Sequence, residues 1–358
     1  MLLFTIMGFV ADNDNELRGE IRMKKLSALV LAIVMMAGLV AGCGSNSSKP
    51  AAGGGEVSLK VAHAAADNTA KHAAWLNFKK LVEERSGGKI KVAIFPNAQL
   101  GSEREYIEAL QVGNIAMASV STAPVANFKK EFYAFDIPFL FKNRETAHKV
   151  VDGPVGQEIL AGLDSIQIKG LGFWENGFRH MTNNKVAIRK PDDLKGLKMR
   201  TMENELHMAL FKALGANPTP MAYGEVFTAL QQGTVDGQET PFELIHTNRF
   251  YEVQKYVIDT GHLYSPFLIM MSKQVYEKLS PEHRKIVEDA VKETTKMQRE
   301  LAKKNEAIAI DAIKTKSTII NLTDEERKAF RDKMGPVNEQ AKQKAGDAIV
   351  TKILEASK

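Results

Sequence analysis

From Val57 onward the apolar positions change period repeatedly. Val57, Leu59 and Val61 alternate with other residues as a strand does; Ala74, Phe78, Leu81 and Val82 then share one helical face as far as Ser86-Gly87-Gly88; Ile90, Val92 and Ile94 alternate again before Pro96. This succession predicts a βαβ unit. Ser102 followed three residues later by Glu105 is a capping-box pair, which satisfies free N–H groups at a helix start, so a second helix opens there and ends at Gly113. Residues 115–120 read as a short buried strand, 166–173 and 185–188 as further strands, 204–214 as a helix closed by Gly215, and 223–232 as a helix closed by Gly233. Between Pro281 and Ile313 no further Gly or Pro intervenes, and Ile286, Val287, Ala290, Val291, Met297 and Leu301 recur at helical intervals, which predicts one unusually long helix. The pattern is α/β with a mixed sheet, and no internal repeat is visible.

Length and charge narrow the function classes. The 358 residues are 44% hydrophobic and 25% charged, enough for two domains of an ordinary globular chain. Lysine and arginine (48) exceed aspartate and glutamate (43) by only five without a dominant basic tract, so nucleic acid is not an expected partner.

The N-terminal segment carries an address. Met23-Lys24-Lys25 precedes an uncharged run from Leu26 to Val40, and Leu39-Val40-Ala41-Gly42-Cys43 follows with small residues before the chain's one cysteine. A basic, then apolar, then small-residue order is that of a secretory signal, and fifteen residues fall short of the ~20 of a membrane-spanning helix. The stretch resembles the lipobox of bacterial lipoproteins, which implies lipid on Cys43 and removal of residues 1–42. Asp12, Asp14, Glu16 and Glu20 lie ahead of the basic region, so Met23 is the expected true start. Residues 43–56, rich in Ser, Gly, Ala and Pro, read as a flexible tether.

Several chemistries have no signature. There is no nucleophile elbow, no phosphate-cradling loop ending in Gly-Lys-Ser/Thr and no dinucleotide fingerprint, so no cofactor is expected. The eight histidines, among them His63, His72, His180 and His246, lack metal-ligand spacing, and no metal is expected. Asp192-Asp193 precedes a helix start, where acids cap free N–H groups.

The informative block runs from Gly172 to Pro241. It contains Asn176-Gly177-Phe178-Arg179, Pro191-Asp192-Asp193-Leu194-Lys195-Gly196-Leu197-Lys198-Met199-Arg200, Gly215-Ala216-Asn217-Pro218-Thr219-Pro220-Met221 and Val235-Asp236-Gly237-Gln238-Glu239, with Phe135-Asp136-Ile137-Pro138-Phe139-Leu140 upstream. Five such segments in order resemble the DctP-type solute-binding proteins of tripartite ATP-independent periplasmic (TRAP) transporters, over nearly the whole chain from Val57.

The resemblance implies a two-lobed periplasmic binding protein with mixed sheets flanked by helices and a long helix bridging the lobes. Lobe I would comprise 57–177 with 267–305, and lobe II 178–266 with 306–358. Such a protein is not an enzyme: it closes on a small carboxylate and hands it to membrane permease subunits. By the same resemblance Arg200 and Arg179 grip the carboxylate, Tyr223 packs beside the ligand, and Thr240 stands where relatives commonly have asparagine; Arg179 itself reads as part of a Gly-Phe-Arg-His turn. Glu239, Ser121, Glu103 and His63 complete the implied ligand-binding set. Physical chemistry supports the arginines, because a guanidinium is a fixed fork of donors that stays charged. Alternation places Leu197, Met199 and Thr201 on one face of a strand and Lys198 and Arg200 on the other. Two arginines fit one carboxylate or two, so C4-dicarboxylates, uronates and other sugar acids stay open. So do a periplasmic enzyme, for which Glu203 and Glu239 are the obvious acids, and a sensor component.

Overall fold

The structure is a computed structural model that describes residues 56–358. The expectations placed on residues 1–55, including the signal, Cys43 and most of the tether, lie outside the described residues.

In chain order the elements that position the site are β1 (Val57–His63), α1 (Ala70–Arg85), β2 (Ile90–Phe95), α2 (Glu103–Gln111), β3 (Met117–Ser121), α3 (Thr122–Val125), α4 (Arg144–Asp152), α5 (Pro154–Ala161) and β4 (Ile168–Asn183). They continue with β5 (Lys198–Thr201), α6 (Glu205–Ala213), β6 (Asn217–Pro220), α7 (Val226–Gln231), β7 (Gly237–Thr240), α8 (Phe242–Thr247), β8 (Tyr256–Ser272), α9 (Lys273–Lys278) and α10 (Pro281–Ile313). The chain ends in β9 (Thr318–Asn321), α11 (Asp324–Asp332), α12 (Gly335–Ala345) and α13 (Asp347–Ala356).

The nine strands form one mixed sheet in the order β2-β1-β3-β8-β4-β7-β5-β6, with β9 beside β8. β1 lies parallel between β2 and β3, confirming the expected βαβ unit; β5 lies parallel between β6 and β7 at the other end. Strands β4 and β8 are 16 and 17 residues long and run antiparallel through both ends. Their pairing shifts register between Gly170 and Gly172, between Glu175 and Gly177, and between Arg179 and Met181. Such bulges bend a ladder and re-aim side chains. Gly177 has φ +117°, a backbone conformation that a Cβ disfavours.

Each end of the sheet has its own packing. On one face of β1 and β3, Leu59, Val61 and Met117 meet Trp75 and Phe78 of α1, Trp174 of β4 and Val287 and Val291 of α10. Trp75 and Trp174 have ring centres 4.8 Å apart, and the Trp75 indole N–H donates to Ser119 at 2.8 Å. At the other end Val226, Leu230, Ile245 and Phe250 pack with Ala309 and Ile313 of α10. Each fully buried large apolar side chain contributes roughly 1.5–3 kcal/mol. Helix α10 therefore serves both cores along its 33 residues, as the unbroken apolar period implied. Ser280 caps its start through the His283 N–H.

Two sequence expectations need correction. Residues 185–188 are not a strand, because the Asn183 side-chain oxygen accepts the N–H groups of Lys185 and Val186 and so withdraws both donors from any ladder. Arg179 does not sit in a turn; the strand expected to stop at Phe173 continues through the bulges to Asn183, with Arg179 inside it. Asp193 accepts the N–H groups of Arg189 and Lys190, the capping role expected of it.

Candidate functional site

The carboxyl ends of the parallel strands from both halves of the sheet point into one narrow cleft. Loops leaving such strand ends are where open α/β sheets place ligands. β1 leads to Ala64 and Ala65, β3 ends on Ser121, β5 brings Arg200 and leads to Met202 and Glu203, and β7 ends on Thr240. Tyr223 follows β6, while Lys71 and Glu103 come from the first turns of α1 and α2.

Strand β4 supplies two side chains to the same cleft three residues apart, Asn176 and Arg179. A regular strand would send them to opposite faces. The bulge resolves this: Glu175 pairs with Pro266 and Gly177 with Ser265, so Asn176 is an extra residue without a ladder partner.

Both arginines are buried, Arg179 at 1% and Arg200 at 2% exposure, and they differ in what they hold. Arg179 presents its guanidinium to Glu239 fork to fork: Nε donates to Oε2, and Nη2 donates to Oε1 at 2.8 Å and to the Glu239 carbonyl at 2.6 Å. His207 and His262 approach the same carboxylate at 3.5 and 3.4 Å, and His207 reaches Asp136 at 3.2 Å on its other side. Burial opposes ionisation of Glu239, but Arg179 and the two histidines outweigh it and hold the carboxyl well below its usual range.

Arg200 has no carboxylate partner among the described residues. Its Nε and Nη2 both donate to the Met221 carbonyl, at 3.1 and 2.8 Å, and its buried Nη1 has no acceptor. Burial pushes its pKa down to about 10, with Glu239 raising and Arg179 lowering it. Alternation along β5 works as the sequence implies: Met199 is in the core and Lys198 is exposed.

Of the other expected residues, Ser121, Glu103, Tyr223 and Thr240 line the cleft. Glu103 Oε1 accepts from the Ser121 N–H at 3.1 Å and from its hydroxyl at 3.4 Å. The Tyr223 hydroxyl accepts from Asn248, and burial raises its pKa although Arg200 and Arg179 lower it. Two residues are not on the cleft wall. Glu239 stands behind Arg179, and His63 is fully buried with its Nε2 3.1 Å from His72 Nδ1. Burial, then Lys71 and His72, depress the His63 pKa to about 2.

Sequence reasoning missed Lys71 and Asn176. Lys71 is 2% exposed, with Nζ 3.5 Å from the Phe267 ring centre; burial lowers its pKa to about 8 against Glu103 and Glu243. A signal existed in each case. A lysine in the first turn of a helix opposes the helix dipole, and an Asn-Gly pair inside a strand marks a bulge. Among the described residues no cluster of three His, Cys, Asp or Glu could hold a metal ion, and no helix is long and apolar enough to cross a membrane.

Known proteins share both sequence and architecture with this chain. The model of bacterial extracellular solute-binding protein, family 7 (DctP), matches residues 61–344. A solute-binding protein of Verminephrobacter eiseniae is 42% identical over 302 residues, covering 84% of this chain and 90% of its own. The sugar acid binding protein DctPAm of Advenella mimigardefordensis, solved in complex with galactonate, superposes with a TM-score of 0.83 at 37% identity, covering 85% of this chain and 98% of that one. A TRAP periplasmic solute binding protein of Sulfurospirillum deleyianum with bound succinate gives 0.81 at 33% identity, covering 85% and 100%. The cleft between two sheet ends, the buried arginines within it and these matches together make the chain a TRAP-type solute-binding protein of the DctP family.

Proposed function

We propose that the chain is an extracytoplasmic binding protein that captures a small organic acid, a C4-dicarboxylate, uronate or related sugar acid, and delivers it unchanged to TRAP permease subunits. The observation that carries this reading is Arg200 Nη1, a buried cationic donor without an acceptor in the cleft where the strand ends meet. A carboxylate accepting from Nη1 would remove the cost of that orphaned donor and match its charge. Ser121, Thr240 and Tyr223 would meet the rest of the ligand, and Arg179, braced by Glu239, would supply a second positive charge.

In this reading residues 57–177 with 267–305 form one lobe and 178–266 with 306–358 the other, closing on the acid by bending at the bulges of β4. The last two helices of the second lobe reach back over the first, where Lys352 pairs with Glu158 of α5. Residues 1–42 would be removed on export, and lipid on Cys43 would fix the protein to the membrane through the tether.

Thermal melting against a panel of organic acids tests the function. A ligand at 100 times its Kd stabilises a protein by about 2.7 kcal/mol, so at least one acid should raise the Tm by degrees; no shift with any acid would sink the reading. Globomycin should cause a larger precursor to accumulate, and an unchanged band would remove the anchor.

A further inference from the structure

The chemistry left open in the cleft is asymmetric. Among the cationic groups of the wall, Arg200 and Lys71 have no carboxylate at ion-pair distance among the described residues, and Arg200 keeps one guanidinium nitrogen without any acceptor. Arg179 has two of its nitrogens on Glu239, and the Lys71 ammonium lies against the Phe267 ring in the field of Glu103 and Glu243. Elsewhere the wall offers acceptors that lack donors. Glu103 uses Oε1 for Ser121 and has no protein donor on Oε2; the Glu203 carboxylate makes no bond among the described residues; Asn176 Oδ1 is buried and unpartnered.

Resting on the organic-acid reading above, we propose that this site prefers a polyhydroxylated monocarboxylate, a sugar acid, to a C4-dicarboxylate, and that Glu103 is a residue that makes the choice. An ionised dicarboxylate brings acceptors only. Its second carboxylate could meet Lys71, but it would leave Glu103 and Asn176 Oδ1 without donors and be repelled by Glu103 and Glu203. A hydroxylated chain brings O–H donors for Glu103 and Asn176, and its oxygens accept from Lys71 and the hydroxyls of Ser121 and Thr240. Asn176 Oδ1 is a buried acceptor and Glu103 a half-buried charged one, and a site holding such groups discriminates against a ligand that leaves them unpaired.

Calorimetric titration of the full chain with D-galactonate and with succinate tests this, together with the variant Glu103→Gln. D-galactonate should bind at least about 10-fold more tightly than succinate, the effect of one charge-assisted hydrogen bond. Glu103→Gln removes the negative charge while keeping the shape, and should shrink that ratio about 10-fold by weakening D-galactonate and strengthening succinate. Succinate binding as tightly as D-galactonate, or a ratio unmoved by Glu103→Gln, overturns the preference and leaves the organic-acid reading standing. Failure of every acid in the melting panel overturns both. The wild-type ratio remains decisive should the variant not fold.

Discussion

The surroundings of the two buried arginines solve opposite problems. Around Arg179, strands β4 and β7 and helix α6 enclose a charge network in which Glu239 takes the fork of Arg179 and has His207 and His262 within 3.5 Å, and His207 also reaches Asp136. Around Arg200, strand β5 and the Met221 carbonyl hold the guanidinium by two nitrogens and leave the third without a protein acceptor. The first arrangement has its counter-charge within the fold; the second has none among the described residues. Equal burial of two identical side chains thus says little about role, and the inventory of unpaired atoms says more.

Breaking the charge network should have the largest effect. Glu239→Ala leaves the Arg179 guanidinium buried without its carboxylate, and losing one partner of a buried pair costs about 3–5 kcal/mol. Urea denaturation should show that loss in the absence of any ligand; a loss below about 1 kcal/mol would mean that water relieves Arg179 and that the two environments differ less than their bonding suggests.

Arg200→Lys should do the reverse, leaving the apo protein's stability within about 1 kcal/mol of wild type and weakening acid binding about 10- to 100-fold. An ammonium keeps the charge but cannot hold the Met221 carbonyl and a ligand oxygen with one planar fork, and a hydrogen bond to a charged group is worth about 1.5–3 kcal/mol. Equal dissociation constants for wild type and variant by calorimetry would take Arg200 out of the site. A collapse of the apo melting temperature would make it structural.

At neutral pH the smallest effect belongs to His63, behind the cleft. Its pKa of about 2 in the fold, against 6.5 ordinarily, means that it takes up a proton on unfolding but not while folded. Its contribution to stability is therefore unaffected above pH 6.5 and is lost progressively as pH falls toward 2, by about 1.4 kcal/mol per pH unit at most. His63→Gln should flatten the acid limb of a stability-against-pH curve by up to that slope. Parallel curves for wild type and variant would show that the imidazole is protonated in place.

Where a single period governed a segment, the sequence was readable: the β1–α1–β2 unit and the full extent of α10 follow from spacing alone. Arg200 followed from alternation along β5 together with the family resemblance. Strand β8 was not legible, because Phe267, Ile269 and Met271 face one core while Leu268 and Met270 face another, so no polar residue marks an outer face. Pro266 within it reads as a break. Arg179 was assigned to a turn for a related reason: Asn176 and Gly177 carry turn chemistry, and only the register with β8 shows that this chemistry serves a bulge. For Lys71 the one local signal was its place against the helix dipole, and its contact with the distant Phe267 is not written in its neighbours.

Two strands that belong to both ends of the sheet also limit what the molecule can do as a machine. Because β4 and β8 pass unbroken from one half to the other, the halves cannot shear past each other or drift apart on a slack linker; they can only flex, like the arms of tweezers cut from one strip of metal. Any opening and shutting of the halves would then follow a single track, and little configurational freedom would be lost on capture. Neither arm can melt without stripping the other of its central strands, which makes a single cooperative heat-absorption peak the natural signature of this architecture.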